Sequence, residues 1–142
     1  MEQDYKEVKG IYHKKATDNT VFPAAFLMGK ANEVVADNRG GGLHGWVYDG
    51  ADGSQVTLWI AEGGKGGYCV PHSHDYAEYC HVLSGWYRLE INGEDAGVLH
   101  AGDELYIEPG VVHAGWYSED YRAIDGFEKR RFNRAGEGEM NV

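Results

Sequence analysis

The chain is 142 residues long and carries 23 acidic against 13 basic residues, a formal net charge of −10. That length suits one domain burying about 70% of its unfolded surface, enough for a core that needs no disulfide staple. The negative balance repels phosphate backbones and anionic lipid headgroups, which argues against nucleic acid and membrane surfaces as partners.

The first ten residues, MEQDYKEVKG, are charged and lack the apolar run of a signal peptide. No later stretch reaches the roughly 20 apolar residues of a membrane span, so a soluble cytoplasmic protein is expected. Residues 1–42 read as an N-terminal arm that packs on a barrel or on a partner subunit. The arm contains the apolar run VFPAAFLM at 21–28 and closes in Asn38-Arg39-Gly40-Gly41-Gly42.

From residue 43 onward, short apolar runs alternate with turn residues. With 21 glycines and 3 prolines in the chain, no run of helical period is long enough to build a helical core. Strands are expected at 43–48, 55–62, 67–74, 78–85, 85–91, 97–102, 103–108, 112–118 and 121–131. Asn92-Gly93 is the strongest hairpin signal, because a type I′ turn needs positive φ at both central positions. Short, evenly spaced strands favour a sandwich or barrel, and a double-sheet jelly roll limits exposed edges. Cys69 and Cys80 set no disulfide framework and read as buried thiols, with Cys80 placed to share the interior with Glu78. The tail over 133–142, rich in Gly and Glu, is expected to fray.

The segment from Gly66 to Gly85 reads GGYCVPHSHDYAEYCHVLSG. On an extended strand, residues two apart share a face and lie about 6.5–7 Å apart, so the imidazoles of His72 and His74 can close on one ion. Pro71 favours extended neighbours, and the link Asp75-Tyr76-Ala77 lets the chain turn and return Glu78 from the next strand. His113 supplies a fourth candidate. Gathered without a cation, these groups would leave a costly buried carboxylate and half-satisfied ring nitrogens, both of which a divalent ion compensates. The donor set suits Zn²⁺, Fe²⁺, Mn²⁺, Ni²⁺ or Co²⁺ alike, and four protein ligands leave about two octahedral positions for water and substrate.

This segment resembles the first motif of the cupin family, a Gly, five spacers, His-x-His, three or four spacers, Glu, six spacers and Gly, met here by Gly66, His72, His74, Glu78 and Gly85. The second motif is met by Gly102, Gly110 and His113. Glu108 stands at its first proline position, and Tyr117 stands where many members carry Asn. The resemblance spans about residues 55–127. It implies an all-β fold, the double-stranded β-helix or jelly-roll barrel, over residues 43–132. It also implies one divalent transition metal held by His72, His74, Glu78 and His113, and a homodimer that uses the N-terminal arm.

The expected function is that of a metal-dependent cupin enzyme acting on an oxygen-bearing small molecule, of isomerase, lyase, cyclase or dioxygenase type. The alternative is a non-catalytic module that binds or senses a small ligand through the metal. Glu78 is the candidate base, since a carboxylate in an apolar lumen can have its pKa raised toward neutrality, and Tyr106 is a second catalytic candidate. Tyr79, Glu104, Glu108, Tyr117, Arg88 and Arg122 are further candidates for the lumen, and His44 is a candidate for its mouth. His81, three after Glu78, should face the opposite side. Trp46, Trp59, Trp86 and Trp116 read as core or subunit packing. The run Glu128-Lys129-Arg130-Arg131 reads as a solvated strand end and not as an anion site.

Overall fold

A computed structural model describes residues 29–36, 42–61 and 65–134. Ten strands follow in order: β1 (Glu33–Ala36), β2 (Leu43–Asp49), β3 (Gln55–Ala61), β4 (Gly67–His72), β5 (Glu78–Ser84), β6 (Trp86–Ile91), β7 (Glu94–His100), β8 (Glu104–Ile107), β9 (His113–Tyr117) and β10 (Arg122–Phe127). One 3₁₀ turn over Lys30–Asn32 precedes β1, and the described residues contain no α-helix. The strands form a six-stranded sheet, β1-β2-β3-β10-β5-β8, and a four-stranded sheet, β4-β9-β6-β7. Every paired neighbour is antiparallel, as in the jelly roll expected from the sequence.

Alternation decides what each strand buries. In β3, Gln55, Thr57, Trp59 and Ala61 are buried, and in β5 so are Glu78, Cys80, Val82 and Ser84. A period of two places such sets on one face, and that face becomes the inner wall. Val34, Val47, Val82, Leu89, Tyr117 and Phe127 belong to the resulting core. Each large apolar side chain there contributes about 1.5–3 kcal/mol by leaving water.

The Asn92-Gly93 hairpin forms as expected, with φ of 51° and 82° and Ile91 paired with Glu94. Because the turn uses only two residues, β7 begins at Glu94 and not at 97. The strand read over 121–131 is shorter, since β10 ends at Phe127. Within the N-terminal arm, Glu33–Ala36 pairs with β2 as an added edge strand beyond those expected from residue 43 onward. Residues 1–28 and 37–41 of the arm, including the apolar run at 21–28, and the tail beyond 134 lie outside the described residues.

Gly85 and Gly115 are among the glycines required by close approach or backbone geometry. Gly85 has φ of 72° between β5 and β6, where a Cβ would also strike Ser118. At Gly115 in β9, a Cβ would overlap the Tyr87 ring and lie 2.6 Å from the Arg88 carbonyl oxygen. Gly115→Ala should therefore destabilise the protein by about 2 kcal/mol through overpacking. Urea denaturation reads this directly, and an unchanged midpoint would contradict the packing described.

Candidate metal centre

Antiparallel pairing of β4 with β9 sets His72 opposite His113. Glu78 opens β5, flanked by Ile107 of β8 and Phe127 of β10. His74 lies in the bend between β4 and β5, where Gly110 N–H donates to its carbonyl at 2.8 Å. The strand expected over 67–74 ends at His72, after a register irregularity that begins at Cys69. His74 therefore reaches the centre from a bend and not by continued strand alternation, which corrects the expected geometry. One ligand atom from each of His72, His74, Glu78 and His113 lies within 4.8 Å of the others.

Each ring is aimed by a backbone carbonyl two residues away. Nδ1 donates to Val70 from His72 at 2.7 Å, to Tyr76 from His74 at 3.1 Å and to Val111 from His113 at 2.9 Å. A carbonyl only accepts, so each Nδ1 carries a hydrogen and Nε2 is the nitrogen that each ring turns toward the centre. The Nε2 atoms of His74 and His113 lie 3.0 and 3.3 Å from Glu78 Oε1. Two ring nitrogens facing one carboxylate oxygen share a cation with it, a proton without metal or a metal ion in its place. Bonds of about 2.1 Å to one ion would put ligand atoms about 3 to 4.2 Å apart, so the cluster fits after a small contraction. Burial, then the neighbouring Arg131 charge, pushes His72 down to about 4, which keeps the ring neutral and ready to ligate. Burial opposes the charge on Glu78, but hydrogen bonds from His113 and His74 and the charge of Arg131 prevail and hold it below the usual carboxylate range.

Arg131 is the main correction to the sequence reading. Its side chain is 12% exposed, with Nη2 3.0 Å from His72 Nε2 and Nη1 3.5 Å from Glu78 Oε1. The guanidinium carbon lies 5.1 Å from the Phe127 ring centre and 4.5 Å from that of Phe132. After Phe127 the chain leaves the sheet, tied by an Ala77 N–H donating to Glu128 Oε1 at 2.6 Å, and Arg131 and Phe132 reach the cavity wall. Only Glu128, Lys129 and Arg130 of the charged run are exposed. A cation between two aromatic residues was the one local hint.

The cavity measures about 740 Å³ including its open mouth. His72, Glu78, His113 and Arg131 give it a polar end, while Leu43, Trp59, Leu89, Leu99, Leu105 and Ile107 supply apolar wall. Trp59 thus does more than fill the core. Asp125 also lines this space, on β10 between Thr57 and Cys80, and its Oδ1 is buried without a partner. Burial, reinforced by the charge of Glu78, pushes Asp125 up to about 7. Cys69 and Cys80 face the cavity too, and burial lifts Cys69 to about 12 and Cys80 higher still, so both remain thiols.

Other expected residues point elsewhere. Leu105 and Ile107 of β8 face the cavity, so Tyr106 between them must face out, and it is 64% exposed. Its expected catalytic role is therefore corrected. Tyr79, opposite Tyr106, donates its hydroxyl to Glu104 at 2.8 Å on the same outer face. His81 joins them, 3.4 Å from Glu104, on the side expected for it. Glu108 and Arg88 are exposed, Tyr117 packs against Tyr121, and the His44 ring lies tilted against Trp46 with centres 4.5 Å apart. Arg122 is absent from the cavity wall.

Residues 59–122 match a family model described as the cupin domain. The chain is similar to a RmlC-like cupin from Shewanella frigidimarina, 24% identical over 70% of this chain and 86% of that one, with a TM-score of 0.57. It is similar to KdgF from Halomonas sp., 22% identical over 68% of this chain and 86% of that one, with a TM-score of 0.57. It is also similar to oxalate decarboxylase of Bacillus subtilis, described as having Mn(II) centres, 17% identical over 73% of this chain and 29% of that one, with a TM-score of 0.56. These likenesses establish a shared barrel. No curated protein matches the chain. No helix among the described residues is long and apolar enough to cross a membrane.

Proposed function

The chain carries a cupin domain, and from that premise we propose that it is a metal-dependent enzyme acting on a small molecule that bears an anionic oxygen group. The observation that carries this reading is the convergence of three imidazoles, a carboxylate and a guanidinium beside a largely apolar cavity. His72, His74, Glu78 and His113 would hold one divalent ion, and among Zn²⁺, Fe²⁺, Mn²⁺, Ni²⁺ and Co²⁺ cellular supply decides which. When bound, such an ion supplies Lewis-acid polarisation of an oxygen ligand and lowers the pKa of bound water.

The remaining work falls to the protein's own groups. Arg131 donates into the His72 lone pair. With His72 Nε2 engaged as a metal ligand, the Arg131 guanidinium would turn its planar fork to a carboxylate. Apolar walls thin out competing water and strengthen the charge interaction. Proton handling falls to Asp125 in place of Glu78. Glu78 is pinned in its ionised form, whereas Asp125 changes state near neutral pH, where a general acid or base works best.

The test is to load the protein with each ion, offer small carboxylates, hydroxy acids, sugars and phenols under air and under nitrogen, and follow products by mass spectrometry. Arg131→Met should weaken carboxylate capture by about tenfold or more, the loss of a charged hydrogen bond, while metal affinity changes little. Capture without any product would mark a binding or sensing module. No capture at all by the loaded protein would overturn the anion reading.

A further inference from the structure

We propose that Gln55 is a positioning residue that holds Arg131 at the centre, an inference resting on the role given to Arg131 above. Gln55 opens β3 and is fully buried, with 0% exposure. Its Oε1 accepts from the backbone N–H of Arg131 at 3.0 Å and of Phe132 at 2.9 Å. Its Nε2 donates to the Phe132 carbonyl at 3.1 Å and to Asp49 Oδ1 at 2.9 Å. Residues 131–134 belong to no strand, so one side-chain amide takes the place of the ladder partner that a neighbouring strand would supply.

The rest of the segment is anchored around that amide. Phe132 is 2% exposed and packs edge-on against Trp59 at 5.0 Å. Asp49, held by Gln55 on one side, pairs with Arg134 at 2.7 Å on the other, and Arg134 Nε donates to Asn32 Oδ1 at 3.1 Å. With Phe132 seated in the core and both flanking N–H groups clamped, the Arg131 side chain is directed toward His72 and Glu78. The chemistry needs an amide. A carboxylate could accept from both N–H groups but would face Asp49 and the Phe132 carbonyl with no donor, and an apolar side chain of similar size offers neither function.

The test uses the full chain, first without metal. In ¹⁵N NMR, the Arg131 Nε–H should give a distinct, slowly exchanging signal, and Gln55→Leu should collapse it into solvent exchange. Amide exchange at Arg131 and Phe132 should rise at least tenfold, with the β5 and β9 amides unchanged. In the zinc-loaded protein, Gln55→Leu should weaken binding of malonate about tenfold, and it should add nothing in an Arg131→Met background, a non-additivity that general destabilisation would not produce. An unchanged Arg131 signal in Gln55→Leu would overturn the proposal. If the signal collapses but zinc-loaded wild type captures no malonate, the clamp stands and the anion reading of the site fails. Should Gln55→Leu not fold, wild-type exchange decides: Arg131 and Phe132 amides protected like strand residues support the clamp, and exchange at the rate of an exposed loop refutes it.

Discussion

Glu78→Gln is expected to weaken divalent-metal binding by a hundredfold or more and to erase the rise in melting temperature that the ion gives the wild-type protein. The carboxylate is the one anionic group among the four candidate ligands. Its neutral amide would leave the ion's charge uncompensated in a buried site, while the three rings stay aimed by their Nδ1 bonds to backbone carbonyls. Because the fold gathers the ligands, metal affinity is also folding stability, worth about 2.7 kcal/mol at a hundredfold excess of free ion over its dissociation constant. Without metal the substitution should itself lower stability, since it takes the buried charge partner from Arg131 and removes a carboxylate that the folded state holds ionised. Competition against a chromophoric chelator, with thermal melts in the presence and absence of EDTA, reads both halves. Wild-type affinity in Glu78→Gln would remove Glu78 from the centre.

Asp125→Asn should stabilise the metal-free protein at pH 8, with an advantage that shrinks as the pH falls. Burial and the charge of Glu78 raise the folded pKa to about 7 from the ordinary 3.8. Between those values the folded state keeps a proton that the unfolded chain has released, so wild-type stability drops as pH rises and the cost is complete above about 7. The neutral amide has no such cost. Each unit of pH within the window is worth about 1.4 kcal/mol at most, so the advantage at pH 8 should exceed that at pH 5 by about 2 to 3 kcal/mol. The charged and titratable groups acting on Asp125 include Glu78, Cys80, Arg131 and His113, and they are common to both proteins. His72 acts in the opposite sense, its depressed pKa weakening the metal-free fold as the pH falls from about 6.5 toward 4, and this too cancels in the comparison. A bound ion should narrow the gap by offsetting the charge of Glu78. An advantage of equal size at both pH values would show that Asp125 does not titrate as its surroundings imply.

The two results bear on how much a sequence can reveal. The cluster of His72, His74, Glu78 and His113 is legible because groups able to hold one ion must meet at a bond length, which forces characteristic residue types and spacings. Asn92-Gly93 is legible because positive φ at two successive positions restricts residue choice. Asp125 gives no such sign. Alternation divides β10 into two faces, but a lone acid in a strand looks the same whether that face meets water or a lumen. Tyr106 misleads for the same reason, lying one residue from both Leu105 and Ile107 on a strand whose inward side is set by its neighbours. Arg131 hides in a charged run whose ordinary fate is solvation, and three of the four residues in that run follow it.

The amino-acid sequence alone determined the β class, most of the strands, the tight hairpin and the chemistry of the donor set, since each depends on local period, backbone freedom or ligand type. Tertiary structure decided that His74 arrives from a bend, that Asp125 and the two thiols line a cavity, and that the segment after β10 returns to bring Arg131 against His72. Those outcomes depend on burial against residues distant along the chain, as Gln55 and Arg131 show, and no local pattern encodes which distant surface will be there to receive a side chain.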